Sequence, residues 1–107
     1  MIYLAKKLDQ IEDVKTFSDS DILQILAHEK NQVLLKLLIE QEMTIIDLKH
    51  ATNLNPGTVK RHLNKLIEKG LIFQSRIETN KYGIRMKFYR ATAKQFEINI
   101  KYRWPDK

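Results

Sequence analysis

The chain has 107 residues, 43% of them hydrophobic and 30% charged, with a formal net charge of +6 and no cysteine. That length suits one domain with a buried core, and the lack of thiols excludes disulfides, thiolate metal sites and cysteine nucleophiles. Charge is divided along the chain: residues 1–55 carry six lysines against nine acidic residues, whereas residues 56–107 carry thirteen basic residues against four. A positive field confined to one half favours a polyanionic partner, because neutralising phosphates releases condensed counterions. The greasiest segment, "VLLKLLI", is interrupted by Lys36, and the first residues contain no long apolar run. A cytoplasmic protein with no membrane contact is therefore expected.

Leu4, Leu8, Ile11 and Val14 recur at helical spacing and predict a short amphipathic helix within residues 1–17. Ser18, three residues before Asp21, predicts a cap for a helix over 19–28 carrying Ile22, Leu23, Ile25 and Leu26. Val33, Leu34, Leu37 and Leu38 predict a core helix over 30–41. Thr44 and Asp47 repeat the capping spacing before a helix over 45–52, which should bury Ile45, Leu48 and Ala51.

The helix over 56–69 has the fullest set of signals. Asn55 suits the N-cap, and Pro56 suits the first helical position, where its missing N–H costs nothing. Gly70 suits the left-handed position after the helix, with Lys69 at the negative end of the dipole. Val59, Leu63, Leu66 and Ile67 occupy one side, and Lys60, Arg61, Asn64 and Lys65 the other. Beyond Gly70 the period changes to two: "LIFQSRIE", a turn "TNKYG" and "IRMKFYRAT" make a hairpin with a basic tip. A further strand is expected over 94–104, where Phe96, Ile98, Ile100, Tyr102 and Trp104 form a row suited to core or to a subunit interface.

The short turn "NLNP" brings the third and fourth helices together as in a helix-turn-helix, whose second helix enters the major groove N-terminus first. Gly57 then has no side chain to hold the backbone away from a phosphate, and the helix start offers N–H groups and a positive dipole end. The fold class predicted is α+β: a three- to four-helix core, a hairpin wing over 71–92 and a C-terminal strand, in one domain spanning 1–107 with the helix-turn-helix at 44–69.

Residues 21–92 resemble the winged helix-turn-helix domains of prokaryotic transcription regulators, most closely the ArsR-like group. The resemblance rests on "TVKRHLNKLIEKGLI", with its thr-val-x-arg-his-leu run and terminal glycine-leucine pair, and on the opening helix "ILAHEKNQVLLKLL". It implies a duplex-DNA-binding repressor or activator, usually a homodimer. Recognition would then fall to Thr58, Lys60, Arg61, Asn64 and Lys65, with Thr44 and Asn55 near phosphates. The wing would offer Arg76, Lys81, Tyr82 and Arg85 to the backbone or minor groove. Metal-sensing members of the group use cysteine thiolates; with none here, and with His28, His50 and His62 dispersed, no metal and no cofactor is expected.

His62 lies beside the apolar side of its helix and is expected to pack or hydrogen-bond there. Lys81 and Arg85 suit phosphates better than base edges. Catalysis is not expected: no Gly-rich phosphate loop, paired carboxylates or Ser-His-Asp arrangement is present, and there are only three serines. Two other readings compete with DNA binding. One is a protein-docking module, which calls for a neutral or acidic fourth helix; the other is an RNA-binding module, which calls for little preference for duplex DNA.

Overall fold

In a computed structural model of the chain, which describes residues 11–101, 103 and 104, one strand precedes a run of helices and the remaining strands follow it. The order is β1 (Glu12–Phe17), α1 (Asp21–Ala27), α2 (Glu29–Glu40), α3 (Ile45–Thr52), α4 (Pro56–Glu68), β2 (Ile72–Thr79), β3 (Arg85–Ala91) and β4 (Ala93–Ile98). The fold is an α+β winged helix-turn-helix with, among the described residues, four helices, an antiparallel hairpin and added strands.

Side chains define where the two central helices begin. Thr44 Oγ1 accepts from the Asp47 N–H at 3.1 Å, and Asp47 Oδ2 accepts from the Thr44 N–H at 3.0 Å, a reciprocal box that satisfies two otherwise free donors. Left-handed Asn53 (φ 62°) ends α3, and Asn55 Oδ1 accepts from the Gly57 N–H at 2.7 Å to start α4. At the far end, Gly70 has φ 79°; its N–H donates to Ile67 O and the Leu71 N–H donates to Leu66 O. That paired geometry satisfies the last carbonyls of the helix, and Leu66 and Leu71 are both fully buried beside it.

Leu34 and Leu38 of α2, Leu48 of α3, Val59, Leu63 and Leu66 of α4, and Ile72 and Ala91 of the hairpin form one continuous core. The hairpin is fastened to the helices through an extended residue between α2 and α3. The Met43 N–H donates to Tyr89 O at 3.0 Å, and the Tyr89 N–H donates to Met43 O at 2.9 Å. Pairing within the hairpin runs from Ile72 opposite Ala91 to Thr79 opposite Arg85, with an irregularity between Gln74 and Arg76.

The N-terminal reading is corrected for the described part of its pattern, since Glu12–Phe17 is a strand; Leu4 and Leu8 lie outside the described residues. Val14, Thr16 and their neighbours follow period two, and Val14 is 42% exposed, so it never belonged to a helical core stripe. β1 pairs in parallel with β4, from Glu12 opposite Ala93 to Phe17 opposite Ile98. The last strand is shorter than expected: it stops at Ile98, Trp104 is 91% exposed, and Tyr102 lies outside the described residues. At the start of α1 the N-cap is Ser20, whose side chain makes no capping bond, and Asp19 Oδ1 accepts from the Asp21 N–H, in place of the Ser18 cap expected. Ala51 is exposed and Ile67 is 38% exposed, because the core contacts on their helices are taken by Leu48 and by the Val59, Leu63 and Leu66 stripe.

Leu48 is fully buried where the helices meet. Leu48→Ala should lower stability by about 2–5 kcal/mol through lost burial and a residual cavity. The expected result in urea denaturation is an earlier midpoint with an unchanged slope.

Candidate nucleic-acid interface

Spacing along α4 separates a packing side from a solvent side. Val59, Leu63 and Leu66 face the core, whereas Gly57, Arg61 and Asn64 repeat at intervals of four and three on the opposite side and are exposed. Lys60 and Lys65 flank that exposed row, and Thr58 is half-buried at its edge. Lys65 Nζ stands 4.0 Å from Glu68 Oε1 on the surface, a separation of little energetic weight. Among the described residues, no carboxylate pairs with Lys60 or Arg61.

The caps change how two of the expected contacts are presented. The Asn55 side chain is engaged by the Gly57 N–H, so that donor is already occupied within the helix start. A β-carbon at Gly57 would meet Asn55 Oδ1 at 3.1 Å, so the bare backbone there serves the cap as well as the surface. Thr44 is 5% exposed and its hydroxyl is the acceptor of the α3 box.

Wing residues divide into a tip and a root. At the tip, Asn80 Oδ1 accepts from the Tyr82 and Ile84 N–H groups at 2.8 and 3.0 Å, and Gly83 takes φ 80°. This turn presents Tyr82, 75% exposed, with Lys81 Nζ 5.2 Å from its ring centroid and Arg85 beside it. Asn80 was not singled out from the sequence, although an Asn three residues before a Gly is a known turn signal. At the root, Arg76 is placed away from the other cations. Its Nε donates to Glu42 Oε1 at 2.6 Å, its guanidinium also meets Glu78, and it lies 3.8 Å from the Phe88 ring centroid. Ser75 Oγ donates to the same Glu42 at 2.5 Å. Glu42 ties the hairpin to the α2–α3 junction across more than thirty residues, which no local pattern could announce.

Behind α4, His62 Nδ1 lies 2.8 Å from Asn31 Oδ1. Asn31 is buried and donates from Nδ2 to Ile25 O at 3.0 Å, which orients its amide so that Oδ1 must accept from His62. The imidazole is thus held by a hydrogen bond beside the core, as its position on the helix predicts. The His28 ring stands edge-on at 4.9 Å, and its Nδ1 accepts from the Lys30 N–H at the start of α2. Burial foremost, and then His28, Arg61 and Lys30, hold the His62 pKa below the ordinary histidine value.

A second helix of a helix-turn-helix, exposed along a cationic row and followed by a hairpin, defines the winged-helix fold class. The profile of the bacterial regulatory proteins of the arsR family matches residues 31–73, which span the second helix to the start of the hairpin. Among solved structures, BigR, a transcriptional repressor from Xylella fastidiosa, is 26% identical with a TM-score of 0.55, over 68% of this chain and 66% of its own. HlyU from Vibrio cholerae is 21% identical with a TM-score of 0.54, over 67% and 72%. NolR from Sinorhizobium fredii is 21% identical with a TM-score of 0.54, over 67% and 66%. No curated protein matches the chain in sequence.

Because the folded state favours neutral His62, the unfolded chain binds more protons once the pH falls below about 6.5, the ordinary histidine value. Stability conferred around His62 is therefore full above that value and declines as the pH drops toward the lowered native pKa. Denaturation midpoints measured between about pH 7.5 and 5 should fall with acidification, and His62→Gln should flatten that part of the decline.

Proposed function

We propose that the chain binds duplex DNA as a homodimer and regulates transcription in the cytoplasm, with α4 in the major groove and the wing on the flanking backbone. The observation that carries this reading is the exposed row of α4, with Arg61 at its centre, turned away from the core and without a carboxylate partner among the described residues. Thr58, Lys60, Asn64 and Lys65 surround it; Lys81, Tyr82 and Arg85 reach outward at the wing tip. Thr44, Asn55 and Gly57 stand at the starts of the two helices that would face the phosphates. Arg76, engaged by Glu42, contributes by fixing the angle of the wing. The whole chain acts as one winged-helix domain, and no catalytic step is assigned to it.

The dimer reading is supported by the β1–β4 pair, a two-stranded sheet in which each strand has one edge unpaired among the described residues, and by the exposed Val14 on it. Two subunits would read half-sites about 34–36 Å apart, one helical turn of DNA. Light scattering should give about twice the 12.7 kDa of one chain. A monomer mass at working concentration would refute the dimer.

Fluorescence anisotropy against random duplex DNA, single-stranded DNA and duplex RNA over a salt series tests the central claim. Duplex-DNA binding that weakens steeply with salt is expected. No duplex binding at low salt would point to protein docking, and a preference for RNA would point to an RNA-binding module. Once a target sequence has been selected, Arg61→Ala should cost about 1–3 kcal/mol and relax specificity at one position. An equal loss on all sequences would make Arg61 a phosphate contact.

A further inference from the structure

The flank of α4 turned toward α1 carries His62 and Lys65, and Lys69 beyond them reaches Asp21 of α1 at 3.4 Å. Between this flank and the corner where α1 meets α2 lies a cleft of about 340 Å³. Arg61 and Lys65 stand on its α4 side, Gln24 and His28 on the other, and no acidic residue lines it. Its inner wall is held from behind. Buried Asn31 donates to Ile25 O and accepts from His62, so the imidazole cannot turn without breaking a bond beside the core. Hydrogen bonding also decides what each ring has left to offer. His28 Nδ1 accepts from the Lys30 N–H, which puts the proton of the neutral ring on Nε2 and makes that atom a donor. His62 Nδ1 donates to Asn31, which leaves Nε2 an acceptor, and burial together with the neighbouring positive groups disfavours a proton there.

We infer that this cleft binds a small hydroxylated dianion, a phosphate monoester or hydroxy dicarboxylate of about ten non-hydrogen atoms, whose presence there competes with duplex DNA for Arg61 and Lys65. The competition rests on the DNA-binding reading above; the binding itself does not. Arg61 and Lys65, one turn apart on α4, present a guanidinium fork and an ammonium to the anionic groups, with His28 Nε2 as a further donor. A hydroxyl on the same molecule supplies the donor that His62 Nε2 requires, and its carbon chain covers the edge of Ile25. Gln24 offers both a donor and an acceptor to the remaining oxygens. Other occupants use less of the wall. A bare inorganic anion leaves the His62 acceptor unmet, an apolar molecule leaves every polar group unmet, and a metal cation is repelled by Arg61 and Lys65 and finds no carboxylate. One guanidinium serves one anion at a time, so an occupant held against the α1–α2 corner withdraws Arg61 from the outer row of α4.

The test titrates the full chain, without DNA and at fixed near-neutral pH and ionic strength, with glycerol phosphate, malate and inorganic phosphate, following the imidazole signals of His28 and His62 by NMR. At least one of the two organic anions should shift both rings to saturation and bind about 10-fold more tightly than inorganic phosphate. Gln24→Ala and His28→Asn should each weaken that anion about 3- to 10-fold, and Asn keeps a capping side chain at the start of α2. Far-ultraviolet circular dichroism and an unchanged affinity for random duplex DNA check that both variants keep their fold and their DNA contacts. In anisotropy at constant ionic strength, the same anion should release the wild type from the duplex, and either variant should need about 3- to 10-fold more of it. If neither organic anion binds more tightly than inorganic phosphate, or if both variants bind as the wild type does, the cleft is not the site. If the anion binds and the duplex is not released, the competition is wrong and the DNA-binding reading stands. If the wild type binds no duplex at low salt, the competition falls with that reading, and the NMR titration still decides the cleft.

Discussion

The Met43–Tyr89 backbone pair is the joint on which the rest of the architecture depends. A two-stranded hairpin has little stability alone, because it lacks a second layer to bury against. Two reciprocal hydrogen bonds attach this one to the loop between α2 and α3, and Met43 and Tyr89 are both buried where they meet. Glu42 adds a second fastening to Ser75 and Arg76, one residue away. Because α3 starts immediately after this loop with the Thr44–Asp47 box, the wing and the helix-turn-helix share one anchor. Their relative angle is fixed by these bonds.

The sequence foretold those parts of the fold whose causes are local. Thr44 with Asp47, Asn55 with Pro56, and Gly70 each act within a few residues, and the helices they bound lie where these signals place them, to within about a residue for α3 and α4. The N-terminal segment was misread because Ile11 and Val14 satisfy helical spacing, while the force that decides their conformation is pairing with β4, some eighty residues away. Trp104 fits an alternating row, yet nothing in the sequence tells that the row has lost its partner after Phe17. The same limit applies to the candidate interface. The exposed row of α4 is a matter of periodicity and could be read directly; the capture of Arg76 by Glu42 comes from the hairpin's docking.

Charge is allocated by role as well as by region. Arg76 lies in the basic half, yet it sits half-buried over Phe88 between two carboxylates, acting as a structural clamp. Lys15 likewise donates to Gly70 O at 2.8 Å, satisfying a carbonyl at the end of α4, with Thr92 Oγ1 on the same oxygen. Lys69 reaches Asp21 of α1 at 3.4 Å. These cations settle the C-terminal end of α4 and the wing root, while Lys60 and Arg61, nearer its start, have no ion-pair partner among the described residues. The net charge therefore overstates how many cations are available to a ligand.

The parallel pairing of β1 with β4 also bears on how the chain reaches this state. Helices, the α3–α4 turn and the β2–β3 hairpin all close over short stretches of chain and can form early. The β1–β4 contact must close a loop spanning most of the molecule, the kind of pairing that carries the largest entropic cost and slows folding. During synthesis β1 emerges long before β4 exists, so the helices and the hairpin between them can assemble while residues 12–17 await residues 93–98.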